Sequence, residues 1–143
     1  MEIRLGFERK LALALMFSAL TIALSPIFIP LGPTRALPWQ HMTNVLCGVL
    51  LGPWWATTVA ILVSIIRNML GLGTIYAFPG SIPGAFLVGL TALILRKYEL
   101  PTEYAAFVEP IGTAGIGFLI ALYVFAPFMG HYEMWLAVLS IIW

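Results

Sequence analysis

Aspartate is absent from this chain of 143 residues, and charged residues of every kind make up 9% of it. Soluble domains carry roughly 25%. Seven lysines and arginines stand against six glutamates, a formal charge of +1. That balance leaves no basic surface for nucleic acid, which is not expected as a partner. One cysteine, Cys47, excludes an internal disulfide. Within an apolar run it reads as a small packing residue. There is no Walker-type phosphate loop, no dinucleotide fingerprint and no serine-nucleophile elbow. The chain is therefore not expected to be an enzyme, to hold a cofactor, or to drive transport with ATP by itself. The spacing of its two histidines and of Glu133 fits no metal motif, so no metal site is expected.

What is abundant is apolar. Hydrophobic residues reach 62%, and the mean hydropathy is +1.02. The expected fold class is an all-α integral membrane protein, one transmembrane domain over residues 1–143. The length has room for about six helices of roughly 20 residues. Glycine and proline punctuate the runs. Helix 1 is expected over Leu11–Ile29, its far end broken by Pro26 and Pro30. Helix 2 is expected over His41–Leu51, helix 3 over Trp54–Leu70, helix 4 over Ile82–Leu95 and helix 5 over Tyr104–Ala126. Helix 6 opens near His131 and is expected to be short or truncated, because only ten residues run from Met134 to Trp143. The N-terminus mimics a signal peptide, but no small-residue cleavage site follows, so helix 1 is read as a retained span.

Lysine and arginine set the expected orientation. Arg4, Arg9 and Lys10 precede helix 1, and Arg96 and Lys97 follow helix 4. The positive-inside rule puts both clusters, and the N-terminus, in the cytoplasm of a multi-pass cell-membrane protein. The outer face then collects Arg35, Trp39, His41, Asn44, Arg67, Asn68, Tyr76, Phe78, His131, Tyr132 and Glu133. Arg67 is the only charged residue between His41 and Arg96. A guanidinium at the edge of hydrocarbon costs several kcal/mol, so it snorkels to headgroups or serves a site. Neutral imidazole both donates and accepts, and aromatic rings offer stacking faces. Glu109 falls about two turns into helix 5, towards the cytoplasmic end in this topology. Trp39, Tyr76, Phe78, Tyr132 and Trp135 also suit an interfacial belt. On helix 1, Ala14, Ser18, Ala19 and Ala23 are small residues four apart, a spacing that lets another helix approach closely.

Four blocks carry a resemblance: QHMTNVLCGVLLGP at 40–53, RNMLGLGT at 67–74, AFPGSIPGA at 77–85 and EPIGTAGIG at 109–117. Together they resemble the ThiW family, substrate-binding S components of energy-coupling factor (ECF) vitamin importers. The resemblance implies a six-helix fold with an outward-facing pocket for a vitamin precursor, hydroxyethylthiazole, the thiazole part of thiamin. It implies a transmembrane coupling protein and two cytoplasmic ATPases as partners. It also implies that Ala14, Ser18, Ala19 and Ala23 dock on the coupling protein. The candidate substrate-binding residues are Trp39, His41, Asn44, Arg67, Asn68, Tyr76, Tyr132 and Glu133. Two other readings stay open: an S component for thiamin or another vitamin, and a structural membrane subunit without a ligand.

Overall fold

The computed structural model describes residues 6–31 and 34–142. Six helices follow one another: α1 (Phe7–Ala23), α2 (Pro38–Leu51), α3 (Pro53–Met69), α4 (Ile82–Lys97), α5 (Thr102–Met129) and α6 (Tyr132–Ile142). Pro38 and Pro53 open α2 and α3, where a missing N–H costs nothing and the fixed φ suits the first turn. Gly52 alone joins these two helices, at φ 92°, a conformation that L side chains rarely adopt.

Two expectations are corrected here. Helix 1 ends at Ala23, not at Ile29. Pro26 has no N–H for another helical bond and disfavours helix at Ser25 before it. The chain then forms a short antiparallel hairpin, β1 (Ile29–Leu31) with β2 (Thr34–Ala36), pairing Ile29 with Ala36 and Pro30 with Arg35. The fold remains all-α in class, with this one short hairpin between α1 and α2. Gly32 and Pro33, between the two strands in sequence, lie outside the described residues. Helix 2 starts three residues earlier than expected, which brings Trp39 and Gln40 onto it.

The interior is built of small and hydroxylated residues. Ala14, Ala56, Ala60, Ala85, Ala92, Ala105, Ala121 and Ala126 are buried, as are Ser18, Thr21, Ser25, Thr43, Ser64 and Ser81. The hydroxyls bond within the bundle: Thr21 Oγ1 and Thr43 Oγ1 lie 2.5 Å apart, joining α1 to α2. Large apolar side chains point outward instead, among them Met16, Trp54, Met69, Phe107, Leu119 and Phe128. Water disfavours such a surface, whereas lipid does not, and small interior residues are how helices pack closely in lipid.

Among the described residues, two segments are long and apolar enough to cross a membrane: Ile75–Lys97 and Thr102–Met129, with mean hydropathies of 1.8 and 1.9. α2, at 14 residues, is about 21 Å long at 1.5 Å per residue, short of a hydrocarbon core of about 30 Å. α5 has 28 residues, so the near ends of its shorter neighbours meet it partway along. It contains two prolines and does not wind evenly. A tight 3₁₀ stretch, Thr102–Val108, precedes Pro110, and wide π turns follow over Ile111–Gly117 and Ala121–Phe125. Such turns concentrate at functional sites.

Candidate functional site

A cavity of about 490 Å³ opens between the hairpin, α2, α3, the turn before α4, α5 and α6. Arg35, Gln40, His41, Arg67, Tyr76, Ser81, Glu109, Thr113, Phe118 and Trp135 are among its lining residues.

Glu109 organises one wall. Its Oε1 accepts from Thr113 Oγ1 at 2.8 Å and from Asn44 Nδ2 at 3.2 Å, and lies 2.8 Å from His41 Nδ1. Asn44 also donates to the Ser81 carbonyl at 3.3 Å, which ties α2 to the start of α4. Glu109 was expected about two turns into helix 5, and the structure brings it there against His41 of α2. The opening 3₁₀ turns rise about 2 Å per residue and carry Glu109 deep into the bundle, level with the first turns of α2 and α4. Gly84 and Gly112 allow the approach: a Cβ on Gly112 would lie 2.6 Å from Gly84 Cα. A buried acid near the middle of an apolar bundle is a functional signal, and it was present in the sequence.

Arg67 organises the opposite wall. It is buried, and its Nη1 donates to Gln40 Oε1 at 3.0 Å. Arg67 Nε, Gln40 Nε2 and Trp135 Nε1 are buried without a hydrogen-bond partner. A buried donor left unpaired costs about 1–3 kcal/mol. All three belong to side chains that line the cavity, so a small side-chain shift would offer them to acceptors on a ligand. Aromatic rings close the remaining side. Tyr76 and Phe118 stand with their centroids 5.0 and 5.2 Å from Trp135, and Tyr76 OH lies 3.0 Å from His131 Nδ1.

Of the residues expected to bind substrate, His41, Arg67 and Tyr76 line the cavity. Asn44 stands behind it, holding Glu109. Asn68 does not reach it. Its Nδ2 donates to the carbonyls of Ser64 and Thr74 at 2.8 and 3.1 Å and so shapes the turn after α3. Trp39, Tyr132 and Glu133 also lie outside the lining, and Tyr132 and Glu133 are exposed. Gln40, Thr113 and Phe118 join it without having been expected there, and so does Trp135, one of the aromatics read as belt or stacking face, because their approach depends on how α2, α5 and α6 meet. Among the described residues, no three His, Cys, Asp or Glu side chains gather closely enough to hold a metal ion.

A family-wide sequence profile described as thiamine-precursor transporter protein (ThiW) matches residues 11–143. The chain belongs to the ThiW family. It is accordingly a membrane transport protein of a thiamine-precursor transporter family, not of an enzyme family. No curated protein and no solved structure matches it significantly. Within this ThiW chain, all four blocks that carried the resemblance meet around the cavity, through Gln40 and His41, Arg67, Ala77 to Ser81, and Glu109 to Gly117.

Proposed function

We propose that this chain is the substrate-binding S component of an ECF-type importer for the thiazole precursor of thiamin, hydroxyethylthiazole. On this reading residues 1–143 act as one six-span transmembrane unit, with the N-terminus in the cytoplasm. The three unpartnered N–H donors of Gln40, Arg67 and Trp135, on side chains that line a largely apolar, aromatic-walled cavity, carry the reading. A thiazole ring stacks on Tyr76, Phe118 or Trp135, while its ring nitrogen and hydroxyl oxygen accept from these donors.

The coupling partners are a transmembrane coupling protein and two cytoplasmic ATPases, which supply the energy that a chain without a P-loop lacks. On this reading the docking face on α1 centres on Ala19 and Ala23. Ala14 and Ser18 are buried against the bundle, and the Ser18 hydroxyl donates to the Ala14 carbonyl at 2.7 Å. They turn away from any partner. Ala19 and Ala23 face outward, beside the exposed Leu15, Met16 and Leu20.

Calorimetry on the detergent-solubilised chain tests the reading, with hydroxyethylthiazole expected to bind and thiamin to bind more weakly. In the same series Ala19→Trp, which fills the exposed small-residue surface, is expected to abolish uptake and complex assembly while leaving binding by the isolated chain intact. Absence of hydroxyethylthiazole binding would remove the assigned substrate. Uptake unchanged by Ala19→Trp would move the docking face elsewhere.

The orientation has its own check. Cys47 is fully buried, so a Cys47→Ala background leaves single cysteines placed at Thr74 and Tyr98 as the reactive thiols. Thr74 lies in the turn after α3, and Tyr98 is exposed just past α4. In intact cells an impermeant thiol reagent is expected to label position 74 and not 98. The reverse pattern would put the cavity on the cytoplasmic side.

A further inference from the structure

The charge around the cavity bears on which thiazole it takes. Arg35 and Arg67 line it against one carboxylate, that of Glu109, so with a neutral His41 imidazole two positive charges less one negative leave one positive. Glu109 is engaged by His41, Asn44 and Thr113 on its own wall. Arg67 is 3% exposed, and the one side chain bonded to it, Gln40, is neutral. Arg35 donates to the Leu72 carbonyl and stacks over Phe28. Among the described residues, no carboxylate pairs with either arginine. A buried guanidinium facing only neutral partners is poorly compensated. Arg67 Nε, Gln40 Nε2 and Trp135 Nε1 add three unpaired donors, on side chains that are each at least 95% buried.

A neutral hydroxyl satisfies one of these donors and none of the charge. A carboxylate accepts through two oxygens, suits the planar fork of a guanidinium, and brings the single negative charge that balances the lining. We propose that the cavity selects a thiazole bearing a carboxylate side chain over the neutral hydroxyethyl compound, with Arg67 as the specificity-determining residue. This inference rests on the thiazole-binding reading above and sharpens it.

Calorimetry on the solubilised full chain with three probes decides it. The probes are hydroxyethylthiazole, the same ring with the hydroxyethyl group oxidised to a carboxymethyl group, and the phosphate monoester of hydroxyethylthiazole. The carboxylate is expected to bind at least about tenfold more tightly than the alcohol, as befits hydrogen bonds to a charged group. Arg67→Gln is expected to erase that difference. Arg35→Gln, on the hairpin, is expected to narrow it, and so provides a second reading should Arg67→Gln fail to fold. Thermal unfolding of each variant reports its folding. Alcohol affinity equal to or above that of the carboxylate would overturn the proposal and leave the thiazole site standing. Tightest binding of the phosphate ester would overturn the single-charge match in favour of a dianion. Failure of all three probes would instead overturn the thiazole reading itself.

Discussion

Glu109→Ala is expected to weaken binding of the neutral hydroxyethylthiazole by about five- to 150-fold, corresponding to about 1–3 kcal/mol for donors left without their acceptor. Glu109 Oε1 is the shared acceptor for Asn44 and Thr113 and the partner of His41, so its removal frees one wall of the cavity at once. His41 is a third exposed and can turn to water. Asn44 keeps its bond to the Ser81 carbonyl. These alternatives hold the effect on stability below the simple sum of three lost bonds. Glu109→Gln keeps a carbonyl acceptor of the same size and is expected to lose less. Glu133→Gln, on the exposed start of α6, is expected to stay within about twofold of the parent. Calorimetry on the three folded variants checks the order. Parental affinity in Glu109→Ala would mean that Glu109 holds no part of the binding wall.

The second large effect falls on the bundle. Gly112→Ala is expected to destabilise it by about 1–3 kcal/mol, as overpacking does. The added Cβ would stand 2.6 Å from Gly84 Cα, 2.7 Å from Gly84 N and 2.9 Å from the Pro83 carbonyl carbon. All three are backbone atoms at the start of α4 and cannot swing aside. Gly115, one turn further along the same helix, has nothing within 4 Å of its would-be Cβ. There Gly115→Ala is expected to be neutral or stabilising, by up to about 1 kcal/mol of helix propensity. Thermal unfolding in detergent should therefore shift in opposite directions for two chemically identical changes three residues apart. Equal shifts would show that α4 and α5 do not meet backbone to backbone. Because Gly84 and Gly112 also bring Glu109 up to Asn44, the ligand affinity of Gly112→Ala is expected to fall along with its stability.

The membrane character of the chain, the approximate helix positions and the concentration of unusual polar residues near the ends of helices 2 and 3 were legible from sequence. Each is a local property. Hydropathy sums over a window, and proline or glycine ends a helix by its own backbone chemistry. That is why five helix starts fell within three residues of their expected places and the start of helix 1 within four, while the end of helix 1, placed by apolarity beyond Pro26, overshot by six. Arg67 and Tyr76 drew attention by their chemistry alone and do line the cavity.

What only the tertiary structure decided is which side chains meet. Glu109 and His41 are 68 positions apart, and Tyr76 and His131 are 55 apart. No window reaches that far. Their meeting depends on the unequal lengths of α2 and α5, on the tight first turns of α5, and on two glycines that let backbones touch. Side-chain direction is likewise a product of packing. Ala14 and Ala19 look alike in a small-residue stripe, but Ala14 is packed into the core formed with α2 and α3 while Ala19 is left exposed. Composition and periodicity thus determined a helical membrane protein with its polar groups gathered towards one end. Long-range packing determined which of those groups wall the cavity, because that wall is drawn from the hairpin, four helices and the turn before α4, and no single segment encodes it.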